Sequence, residues 1–208
     1  MVRVDSVQLS LGDHCRVVVV LDVLAVVFTV ARTWPQFIRI VIRRDSTGVS
    51  SLTWTLVLSA HLGWLTYGVL DRVVLLMVVN TLSALGCAVI VLRLRPGRFL
   101  IAPVAGTLLA SGGLYEISNG ALLGVVIALS IVMFIPQAVK VVRAPHQGVS
   151  PVTWTLSALS SMTWISWSIM VGRPLLGAAH YIMLPFALAI LAMTVRRNSR
   201  LEPEAFPP

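Results

Sequence analysis

The sequence predicts an all-α membrane protein with seven transmembrane helices in a 3+1+3 arrangement, two parallel triple-helix bundles joined by one helix. Three observations carry that expectation. First, 57% of the residues are hydrophobic and only 12% are charged, with a mean hydropathy of +0.91; a soluble domain carries roughly twice that charged fraction. Second, the 208 residues divide into long apolar stretches separated by short basic or Gly/Pro-containing joints, and about 20 apolar residues suffice to cross a bilayer. Third, one block of sequence occurs twice, about 100 residues apart.

The spans fall at 16–34, 51–70, 73–92, 99–115, 119–139, 152–171 and 174–195. The first runs from Arg16 to Trp34 and is followed by Pro35, which lacks a backbone donor. The second follows Gly48, which turns the chain, and Ser50 or Ser51, either of which suits an N-cap. The third lies between Arg72 and Arg93. The fourth is the shortest, carries Pro103 and has no counterpart elsewhere in the chain. It is therefore the linker. A single inverting helix lets both triplets cross the membrane in the same direction. The fifth holds Pro136 near its end, the sixth opens after Gly148 and Ser150 on Pro151, and the seventh stops before Arg196 and Arg197. The domains are thus 16–95, a linker at 96–116, and 117–197.

The formal charge of +8 reads as a topology signal rather than a nucleic-acid footprint. Arg39, Arg43, Arg44, Arg93, Arg95, Arg98, Lys140, Arg143, Arg196, Arg197 and Arg200 belong to one face, and Arg3, Arg16, Arg72 and Arg173 to the other, with Arg32 left inside the first helix. That bias puts the chain in the cytoplasmic membrane with its N-terminus outside and its C-terminus in the cytoplasm. A basic patch for DNA or RNA needs a polar fold to carry it, so no nucleic-acid partner is expected. The first fifteen residues hold Asp5 and Asp13 and no sustained apolar run, unlike a cleavable signal. Cys15 and Cys87 lie about 21 Å apart in depth, too far for a disulfide. Two thiols do not make a metal cluster, and no cofactor is expected. The tail from Leu201 to Pro208 has a disordered composition.

The repeated block begins Trp34-Pro35-Gln36 and Ile135-Pro136-Gln137, and continues in Gly48-Val49-Ser50 through Trp54 and Gly148-Val149-Ser150 through Trp154. Further on, Trp64 matches Trp164 and Asn80 matches His180. Duplication inside apolar segments is the mark of transporters built from two halves around a central site. Counting helical rise from the span ends puts Asp22, Trp64, Asn80, Trp164 and His180 about 9 to 12 Å below one membrane edge. Such a layer makes a cavity for a polar, hydroxyl-rich solute: indole faces cover C–H surfaces while an amide serves hydroxyls. The plainer alternative is that tryptophans form an interfacial belt and Asn or His glue helices together. That alternative suits Trp34, Trp54, Trp154 and Trp167; recurrence at matched places favours the site for the other two tryptophans, Asn80 and His180. Asp22 is a carboxylate well inside a span. It either couples protons, with His61 or His180, or sits in a wet vestibule. His61 shares a helix face with Trp64. Pro35 and Pro136, each followed by Gln36 or Gln137, permit bends that would gate the inner side.

Pro35-Gln36-Phe37-Ile38-Arg39-Ile40 with Ser46-Thr47-Gly48, and the stretch Asn80 to Cys87, resemble the PQ-loop superfamily and within it the SWEET and SemiSWEET sugar transporters. The resemblance covers residues 16–196. It implies a seven-helix fold of two triple-helix bundles in 1-3-2 order and passage of mono- or disaccharides by alternating access, without energy coupling. It implies that Trp64, Asn80 and Trp164 bind sugar, that Ala60 and Ser160 line the cavity, that Ala31 and Val132 set its size, and that Tyr67 is an outer-gate tyrosine. His180 stands where the family has its second asparagine. Thr53 and Thr153 stand where many members carry gating prolines.

Three functions follow in order: a facilitator of small sugars, a proton-coupled carrier of amino acids or another small metabolite, and a non-transporting membrane binding protein. An enzyme is not expected, since no nucleophile–base pair or phosphate loop occurs in the spans. The expected partners are a small solute and the lipid bilayer, with a homo-oligomer left open.

Overall fold

A segment in lipid must satisfy its own backbone, which favours continuous helix. The computed structural model describes residues 11–47, 49, 51–94, 98–133, 135 and 151–201, and among these it is all-helical with no strand. Seven long helices form the body: α1 (Leu11–Ala31), α2 (Ser51–Leu70), α3 (Val74–Leu94), α4 (Arg98–Ile117), α5 (Asn119–Val132), α6 (Pro151–Met170) and α7 (Ala178–Leu201). Each predicted span has its helix. Pro136 and Gln137, expected to gate, and Gly148 and Ser150 lie outside the described residues.

Among the described residues, three segments are long and apolar enough to cross a membrane by length and composition: Gly12–Ile42, Val74–Leu94 and Pro174–Met193, with hydropathies of 2.1, 2.4 and 2.0. The other four described helices are shorter or less apolar than that, and the reason is visible in the side chains. Helices α2 and α6 are rich in Ser and Thr, α4 carries Gly106, Gly112 and Gly113, and α5 has 14 residues. Many of the hydroxyls return to their own helix: Thr55 to the Ser51 carbonyl, Thr66 to Leu62, Ser157 to Thr153 and Thr163 to Leu159, at 2.8 to 3.0 Å. A hydroxyl bonded back one turn lowers hydropathy without leaving an unsatisfied group in an apolar setting.

The first span also differs from its expected end at Trp34. Helix α1 is interrupted at Arg32 and Thr33, then resumes as a short turn, Trp34–Phe37, and a π-helical turn, Ile38–Ile42. Pro35 occupies the first turn of the resumed helix, where its missing N–H is no loss. A proline excludes the carbonyl four residues earlier, here that of Ala31. The discontinuity thus falls just upstream of Pro35.

The two-helix turns are built alike. After α2, Val73 N–H bonds to the Gly68 carbonyl at 2.8 Å; after α6, Arg173 N–H bonds to the Ser168 carbonyl at 2.8 Å. Both are six-to-one closures with a left-handed residue between. Arg72 (φ 56°) takes that position in one and Gly172 (φ 69°) in the other.

Helix α3 lies against both α1 and α2, and α7 lies against both α5 and α6. Helix α1 packs on α6, and α2 packs on α5. Gly63 permits the second approach, since a Cβ there would stand 2.9 Å from Val126 Cγ2. Helix α4 packs on α2 and α5, with Thr107 donating to Ser59 at 3.1 Å. One cluster of buried apolar side chains spans these contacts, joining Ala25, Tyr67 and Val79 to Leu122, Val126 and Trp164. Cys15 is exposed, Cys87 is buried, and both are free.

Candidate functional site

A cavity of about 40 Å³ lies between the helices, walled by α1, α2, α3, α5, α6 and α7 and by the Pro174–Gly177 turn that leads into α7. Among the described residues, none of its lining comes from α4. Its wall is organised in pairs spaced 100 or 101 residues apart: Thr29 with Ser130, Arg32 with Met133, Trp64 with Trp164, Leu76 with Leu176, Val79 with Ala179, and Asn80 with His180. Ala60, His61 and Met183 complete it.

The polar members are held by hydrogen bonds that repeat in the same way. Trp64 Nε1–H donates to Ser130 Oγ at 2.9 Å, from α2 to α5. Trp164 Nε1–H donates to Thr29 Oγ1 at 2.9 Å, from α6 to α1. His61 Nδ1–H donates to Asn80 Oδ1 at 2.8 Å, while Asn80 Nδ2 donates to the Leu76 carbonyl at 2.9 Å. In the matched place, His180 Nδ1 pairs with Ser161 Oγ at 3.2 Å. The His180 ring stacks on Trp164, with centroids 5.8 Å apart and planes 7° off parallel. One indole face is therefore covered by protein. Trp167 stands edge-on to Trp164 at 5.4 Å.

Of the residues singled out from sequence, Trp64, Asn80, Trp164, His180, Ala60 and His61 come together around the cavity. Ser160 lies behind its wall, fully buried and bonded to Thr29 at 3.0 Å. Ala31 and Val132 do not line it; the lining takes Arg32 and Met133, the next residue in each case. Val132 is 46% exposed, because one residue is about 100° of helix rotation. Asp22 also stands away from the cavity and accepts from Trp167 Nε1–H at 2.6 Å. Trp167 and Trp154 are buried rather than belted at a boundary, whereas Trp34 is exposed. Pro35 and Gln36 sit in the resumed turn after α1, and Gln36 Oε1 is buried without a partner among the described residues. Tyr67 is buried edge-on to Trp64, centroids 6.1 Å apart.

At the end of the bundle where α2 passes into α3, Arg173 of the α6–α7 turn pairs with Asp71 and donates to Tyr67 Oη at 3.3 Å. The bond to Asp71 raises the Arg173 pKa further, so the cation persists at any working pH. At the opposite end, Arg39 Nε donates to Asp45 Oδ2 at 2.8 Å and holds that carboxyl well below the usual range.

Arg32, Thr29, Ser130 and Met133 were not singled out from sequence as site residues. A signal for Arg32 was present: a cation inside an apolar span is a functional candidate by default. Thr29 and Ser130 carry no such mark. No protein-family model matches this chain, and no curated protein matches it.

Proposed function

We propose that the chain is a membrane carrier of the PQ-loop and SWEET type, which passes small hydroxyl-rich solutes of the sugar class through the chamber by alternating access. The observation that carries this reading is the wall made of position-matched pairs drawn from six helices. A duplicated frame around one site is the architecture in which one half rocks against the other. The packing of α3 between α1 and α2, and of α7 between α5 and α6, supports the 3+1+3 arrangement, with α4 as the linker outside the chamber. The interruption of α1 beside the cavity supports it too, since broken helices recur at carrier sites. The basic loops favour an N-terminus outside the cytoplasmic membrane.

Uncoupled facilitation is favoured over proton coupling through Asp22, because that carboxylate is engaged by Trp167 and lies off the wall. Transport is favoured over binding alone because the wall draws on both halves and not on one. The test is uptake of labelled sugars and amino acids into proteoliposomes, with and without a pH gradient. Sugar uptake that ignores the gradient is the expected result. Uptake that requires the gradient and fails in Asp22→Asn overturns the uncoupled reading, and no uptake of any solute overturns the carrier.

A further inference from the structure

Arg32 is the cationic side chain in the chamber wall. Its Nη1 is buried and has no hydrogen-bond partner among the described residues. Burying one nitrogen of a guanidinium without a partner is costly, and the cost is relieved by a counter-charge. The described carboxylates are committed elsewhere. Asp22 accepts from Trp167, Asp45 is tied to Arg39 and Asp71 to Arg173. Asp13 stands 19 residues before Arg32 on the same apolar stretch, about 28 Å away along a helix. Glu116 closes the far end of α4, which contributes nothing to the wall. The polar groups beside Arg32 in the wall are Thr29, Ser130, Asn80, the two histidines and the two indoles, none of which is an anion.

We infer that the solute itself supplies the missing charge: the chamber takes a small carboxylate that also bears hydroxyls, as sugar acids and hydroxy acids do. This rests on the carrier reading above and specifies its solute. Guanidinium groups bind carboxylates through paired N–H donors, and a water-poor cavity strengthens that attraction. The hydroxyls of the solute meet Thr29, Ser130 and Asn80. Among the described residues the chamber offers no carboxylate to receive an ammonium, which disfavours amino acids. Its volume of about 40 Å³ holds about three waters. A three-carbon acid therefore suits the present chamber better than a hexose, which requires it to widen.

The experiment compares two pairs of probes that differ in a single carboxylate: glycerate against glycerol, and glucuronate against glucose. Binding to the purified full-length protein is measured by titration calorimetry, and flux of the same probes in proteoliposomes. The carboxylates are expected to bind at least about tenfold tighter than their uncharged twins, the ratio one charge-assisted hydrogen bond supplies. Arg32→Gln is expected to close that gap and Arg32→Lys to keep part of it, with circular dichroism reporting the fold of each. A second variant, Met133→Glu, offers Arg32 an internal carboxylate across the chamber and is expected to block the acids. Equal binding of the twins, or a gap that survives both Arg32→Gln and Met133→Glu, overturns the anion assignment and leaves the carrier standing if neutral solutes cross. Neither binding nor flux of any probe removes both.

Discussion

In the first half Trp64 of α2 reaches across to Ser130 of α5; in the second, Trp164 of α6 reaches across to Thr29 of α1, over the same 2.9 Å. The turns after α2 and α6 close with the same 2.8 Å bond. Where the halves face the chamber, they part. His61 and Asn80 become Ser161 and His180, and Arg32 becomes Met133. The indole cross-links and the turn closures are thus duplicated, while His61, Asn80 and Arg32 have unlike counterparts. Framework positions answer to geometry, which the two halves share. On the carrier reading, chamber positions would answer to one bound molecule, which need have no two-fold symmetry of its own.

That contrast can be broken most sharply at the chamber. Asn80→Ala is expected to abolish flux in proteoliposomes and to cost about 1 to 3 kcal/mol of stability, because the buried His61 N–H loses its acceptor. His180→Asn makes the halves more alike and is expected to retain flux; abolished flux would show that the imidazole itself is required. Gly63→Leu tests the frame. Forcing a side chain against Val126 is expected to cost about 1 to 3 kcal/mol, read as a lower midpoint of unfolding in detergent. Trp64→Phe and Trp164→Phe each remove one indole donor and are expected to lower stability by about 1 kcal/mol, equally if the frame is truly repeated. A cost confined to one of them would break the comparison. The smallest effect belongs to the turns. Arg72→Gly is expected to raise stability by up to about 1 kcal/mol, and Gly172→Ala to lower it by a similar amount, since a left-handed residue with a Cβ is strained. Opposite signs in thermal unfolding are the check.

Much of this was legible in the sequence, for reasons that differ by residue. Hydropathy located the helices because lipid leaves a chain little other choice. The repeat identified Trp64, Trp164, Asn80 and His180 because they keep one offset of 100 along continuous helix. The pairs Thr29–Ser130 and Arg32–Met133 follow an offset of 101, the spacing of the two Pro-Gln motifs, and the resemblance pointed one residue too far from the prolines, to Ala31 and Val132. The partner of Asp22 lies 145 residues away on α6; no local pattern encodes such a bond. Nor does composition say which tryptophan is buried, so Trp167 read as a belt residue although it is 5% exposed. The interruption at Arg32 and Thr33 was hidden because proline acts on the preceding turn rather than at its own position.

The seams between the halves are unequally stitched. Where α1 meets α6, Thr29 joins both Trp164 and Ser160, and Asp22 joins Trp167. Where α2 meets α5, Trp64 and Ser130 make the matching cross-link alone among the described residues. With about 1 kcal/mol for each such bond, the first seam is the stiffer by roughly threefold in side-chain ties. On the carrier reading, displacement of one half against the other would concentrate its shear at the α2–α5 seam, with the α1–α6 seam as its axis.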